Sequence, residues 1–93
     1  MAALVYAFPE KRTLEDALAS VPKPRGVKLD SIEFAENSHG EPSIFVTYAV
    51  ATRGESDETQ AKALSALVHH SLRAMAALNL PFFEYVDFRS EPA

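Results

Sequence analysis

Ala2–Phe8 reads "AALVYAF", a short apolar run rich in strand formers that stops at Pro9. If this run pairs, the chain has four strands. If it does not, the chain is a three-stranded sheet with one long and one short helix. Its strand-forming composition favours pairing, and the remaining segments are placed outward from it.

The next segment, "PEKRTLEDALASV", places Leu14, Ala17, Leu18 and Val21 at helical spacing, with Thr13 and Asp16 resembling a capping box. Pro22 and Pro24 end this short helix. "VKLDSIEFAE" then alternates with a slip in phase. Val27 and Leu29 share one parity and Ile32 and Phe34 the other, so a bulge is expected near Asp30–Ser31. The turn formers "NSHGEP" lead into "SIFVTYAVATR", which is apolar on both parities and suits a central strand. Ser56 is placed to cap a helix of about six turns reaching Leu78. After Pro81, "FFEYVDFRS" reads as a final strand.

The order strand, helix, strand, strand, helix, strand matches the split pattern of ferredoxin-like domains. The expected fold is therefore α+β, a ferredoxin-like βαββαβ plait with a four-stranded antiparallel sheet and two helices on one face. Residues 1–93 are expected to form a single domain. This architecture hosts many unrelated functions and names none.

Composition narrows the function classes. Net charge is −4, spread unevenly: residues 1–28 carry five basic and three acidic side chains, and residues 29–93 carry four basic and ten acidic. An acidic body disfavours binding to a phosphate backbone, so no nucleic-acid partner is expected. Tyr6 and Phe45 could stack bases as in RRM domains, yet "GEPSIFVTYAV" lacks the basic, glycine-rich pattern that reading needs. There is no cysteine, which removes disulfides and thiolate chemistry and favours a cytoplasmic address. The opening "MAALVYAFPE" has no basic flank and is too short for a signal peptide or a membrane span, so no membrane partner is expected.

No phosphate-binding glycine loop, HExxH, GxSxG or EF-hand pattern occurs. An enzyme is thus less expected than a non-catalytic module, and no cofactor or metal is expected. His69 and His70 are adjacent on a helix and diverge by about 100°, so they do not converge on one ion. They lie with Arg73 opposite the apolar stripe, among Ala66, Ala76 and Ala77. This outer face is short of charge and suits close packing against another subunit or the first helix. His39, between Glu36 and Glu41, reads as an ordinary polar loop residue.

The last strand poses a choice. If Phe82, Glu84, Val86 and Phe88 face the core, a carboxylate enters an apolar interior. If Phe83, Tyr85, Asp87 and Arg89 do so, an apolar set is left on the open face; a bulge is the third option. The favoured function is a self-associating interaction module, a homo-oligomer. Its expected interface draws on Phe45, Ala66, His69, His70, Arg73, Ala77, Phe82 and Phe88. The alternative is a cofactor-independent enzyme or ligand binder of the dimeric α+β barrel type, with Tyr48, Glu84 and Tyr85, and His39 as an outlier, lining a pocket.

Overall fold

The computed structural model describes residues 8–51 and 57–91. They form α1 (Lys11–Ala19), β1 (Val27–Glu36), β2 (Pro42–Ala51), α2 (Asp57–Ala76) and β3 (Phe83–Glu91). The sheet has three strands in the order β1-β2-β3. β1 and β2 are antiparallel and β2 and β3 parallel, so this is a mixed α+β fold.

The four-stranded βαββαβ plait is thereby overturned. In a plait the last strand runs in the same direction as the third, with the first strand inserted between them. Here the last strand does run that way, but it is hydrogen-bonded directly to β2, from Ser43↔Phe83 to Ala51↔Glu91. The slot for an inserted strand is closed. Residues 2–7 of the expected first strand lie outside the described residues. Phe8, its last member, is not in a strand, and its ring stacks on Phe34 at 5.1 Å and meets Phe82 at 4.8 Å with the planes tilted by 30°.

The local elements follow the sequence more closely. α1 forms because Leu14 and Leu18, one turn apart, are both fully buried. It starts at Lys11 rather than at a Thr13 cap; Glu10 holds the N-cap position without a side-chain hydrogen bond. Past its end, the Lys23 ammonium donates to the Leu18 and Val21 carbonyls at 2.8 and 3.1 Å, satisfying groups the helix leaves open. The expected Ser56 cap of α2 lies outside the described residues. α2 stops at Ala76, and Asn79 takes a left-handed φ of 57° before Pro81, a conformation its short polar side chain tolerates. The β1 register slips between Leu29 and Ser31, leaving Asp30 as the extra residue of a bulge. That slip returns Leu29 and Ile32 to one face, opposite Tyr48 and Val46.

Both helices cover this face. Leu14 and Leu18 of α1 and Leu67 and Met75 of α2 pack with Ile32, Ile44, Val46 and Tyr48 in one core. No described helix is long and apolar enough to cross a membrane.

Candidate functional site

Alternation along the three strands sorts the site residues onto two sides of the sheet. The covered side carries the rows Phe34/Ile44/Glu84, Ile32/Val46/Val86 and Leu29/Tyr48/Phe88. Of the possibilities for the last strand, the structure adopts the one that sends Glu84 toward the helices. Its side chain is half-buried, with Oε2 sequestered and no hydrogen-bond partner. Desolvation raises its pKa above the ordinary 4.5. Four residues along β2 from Ile44, the Tyr48 hydroxyl lies 2.7 Å from Ser71 Oγ, deep in the core. Burial pushes the Tyr48 pKa up, and its bond to Ser71 partly opposes that.

The opposite side of the sheet has no described element packed over it. Its rows are Ala35/Ser43/Phe83, Glu33/Phe45/Tyr85, Ser31/Thr47/Asp87 and Lys28/Ala49/Arg89. Phe45 and Tyr85 stack at 5.1 Å with their planes 13° apart. Phe83 is 51% exposed and Tyr85 38%, large values for aromatic rings on a sheet face. The Tyr85 hydroxyl accepts a hydrogen bond from Asn37 Nδ2 at 3.1 Å. Asn37 also fixes the β1–β2 loop, accepting from the backbone N–H groups of His39 and Glu41 through Oδ1. One loop residue therefore orients the exposed ring.

At the other end of this face, Arg89 donates from Nε and Nη2 to both carboxylate oxygens of Asp30, at 3.2 and 3.0 Å. The bulge residue of β1 is tied in this way to β3 across the central strand. Lys28 approaches Glu91 at 3.7 Å in the same direction. Between these pairs Ala49 is fully buried. The Arg89 guanidinium holds the Asp30 carboxyl below its usual range, and Asp30 in turn raises Arg89.

The expected interface residues do not form one surface. Ala66, His69, His70, Arg73 and Ala77 are all exposed on the outer side of α2. Phe82 packs on the core, and Phe88 lies on the covered side 6.1 Å from Tyr48. Of the eight, Phe45 alone stands on the open face. The expected pocket residues divide too: Tyr48 and Glu84 are on the covered side and Tyr85 is on the open one. Phe83 and Asn37 are not among the residues the sequence marks as a site. Phe83 has a signal in its alternation with Tyr85, whereas nothing local marks Asn37. Among the described residues no group of three His, Cys, Asp or Glu side chains could hold a metal ion.

No family model matches the chain, and no curated protein or solved structure matches it significantly.

Proposed function

We propose that the chain is a small non-catalytic interaction module that self-associates face to face through the open side of its sheet. The observation that carries this reading is the uncovered aromatic group Phe45, Tyr85 and Phe83 on a face over which no described element packs. A contiguous apolar patch in water favours association. Three strands about 4.8 Å apart and some 30 Å long give a flat area of roughly 400 Å². Side-chain relief brings this toward the roughly 800 Å² per partner of a standard interface, so the whole face must take part.

A second copy suits the patch. With the strands of the two copies antiparallel, a two-fold axis along the Thr47 row lays Tyr85 over Arg89, Phe45 over Ala49 and Glu33 over Lys28 of the other copy. A cation beside an aromatic ring and a pair of opposite charges are both favourable there. Nucleic acid fits less well, since Glu33 and Asp87 share the face with the rings. A cytoplasmic address rests on the cysteine-free composition.

The alternative, a ligand binder enclosed between paired sheets, draws on the Glu84 carboxyl, whose buried Oε2 has no hydrogen-bond partner. A cavity between two open faces would receive Tyr85 but neither Glu84 nor Tyr48, so the module reading is preferred. Light scattering on the full chain at 100 µM is expected to give the mass of a dimer. Phe83→Glu with Phe45→Ser should give a monomer with an unchanged far-UV spectrum. A monomeric parent, or a double variant that stays dimeric, would overturn the proposal.

A further inference from the structure

Phe8 closes one end of the covered side, next to a carboxyl oxygen that has nothing to bond to. Its ring centroid lies 5.1 Å from that of Phe34 on β1 and 4.8 Å from that of Phe82, just before β3. Phe34 and Glu84 stand on either side of Ile44 in one row, roughly 10 Å apart across the three strands. A ring that touches both Phe34 and Phe82 therefore spans this end of the sheet beside Glu84. Ile44, in the middle of the row, is fully buried, and Glu84 Oε2 is shut off from water without a hydrogen-bond partner.

No charge compensates that carboxyl. Its row supplies Ile44 and Phe34, and Val86 and Phe82 flank it along the chain. α2 and the turn after it send Met75, Leu78 and Leu80 to the core, while His69, His70 and Arg73 are exposed on the outer side. The start of α1 carries Glu10 and Lys11, both exposed, and β1 adds the exposed Glu36 beyond Phe34. Burial is the sole cause of the raised pKa of Glu84, with no neighbouring charge acting on it.

An ionised carboxylate in this place needs water. Phe34, Ile44 and Val86 are held in the hydrogen-bonded sheet, whereas Phe8 lies outside every described helix and strand. Pro9 follows it and offers no backbone N–H to tie it down. We infer that Phe8 is a latch governed by Glu84, closed beside the protonated carboxyl and released from Phe34 and Phe82 when the carboxyl ionises. Acid shuts the latch and rising pH opens it, so the approach to α1 passes from a packed to a solvated state.

The chain contains no tryptophan, so Phe8→Trp places a single indole in the latch of the full chain. Acrylamide quenching of that indole should rise by about threefold or more between pH 4.5 and pH 8. Adding Glu84→Gln should hold quenching at the low, acid value at both pH values. The same rise in the double variant would assign it to a histidine and overturn the proposal, as would pH-independent quenching in the single variant. In the parent, where no ring is changed, nuclear Overhauser contacts of Phe8 with Phe34 and Phe82 should fade at the midpoint where the Glu84 carboxyl carbon titrates. Contacts that persist through that titration would show the carboxylate turning out to solvent with Phe8 still in place, and would overturn the proposal.

Discussion

Glu84 is the residue at which the sheet works against itself. Strand alternation sets it beside Ile44 on the covered side, and one carboxylate oxygen has nothing to bond to. Its pKa is raised by burial, so the sign of the linkage is the reverse of the usual acidic one. The protonated form is favoured by folding. Its stabilising contribution is complete below about pH 4.5, the ordinary value, and is lost as pH rises through the folded pKa. Glu84→Gln should therefore match the parent near pH 4 and exceed it at pH 8, by less than about 1 kcal/mol because solvent still reaches the half-buried group. Urea unfolding at several pH values measures this, and parallel stability curves would contradict it. Asp30 acts in the opposite sense: Arg89 lowers its pKa, so its contribution is present above about 3.8 and fades in stronger acid. Tyr48 and Ser71 form a closed polar pair in the core. Tyr48→Phe leaves the Ser71 hydroxyl without its partner and should cost about 1–2 kcal/mol. Adding Ser71→Ala to that variant should recover most of the loss; additive costs would show that the pair is not coupled.

At the level of elements, the Asp30 bulge is legible in the residue pattern alone. The parity of Val27 and Leu29 conflicts with that of Ile32 and Phe34, and only one extra residue brings both pairs to the covered side. Deleting Asp30 should turn Val27 and Leu29 to the open face and cost about 2–3 kcal/mol by lost burial. Asp30→Asn keeps the register and should cost much less; equal losses in denaturant would refute the parity argument. The neighbour of the last strand is not legible in the same way. A helical crossover from β2 delivers β3 in the same direction whether or not another strand lies between them. Hydrophobic period reports which side a residue faces, and it carries no information about which strand stands next to which. The side taken by β3 is undecided in the sequence for a related reason, because Phe82 and Phe88 compete with Phe83 and Tyr85 on opposite parities. Contact with α2 breaks that tie, and the alternation within β3 does not report it.

For the molecule as a whole, one side of the sheet is covered by two helices and the other has no described element over it. The open face carries the two most exposed rings, Phe83 and Tyr85, while Phe88 is exposed on the covered side, and dimer formation through the open face is the expectation that scattering tests. The sequence directs attention to paired histidines and to the alanine-rich outer side of α2. That side is exposed along its length, but the aromatic cluster is on the far side of the sheet. Asn37 explains why a sequence reading misses part of the site. Its importance comes from a hydrogen bond to a ring 48 positions later.

The direct seam between β2 and β3 also governs how the chain reaches this form. β1 and β2 meet across a tight turn, so their pairing closes a small loop. Residue 43 must find residue 83, and 51 must find 91, with the whole of α2 between them. Loop closure over that distance is entropically unfavourable until α2 has docked, so β3 is the late-arriving strand. During that interval β2 has a naked inner edge, apolar on both faces, next to a growing chain. The assembly hazard of this small domain therefore lies in the order of its folding, on a strand whose two edges are both paired once folding is done.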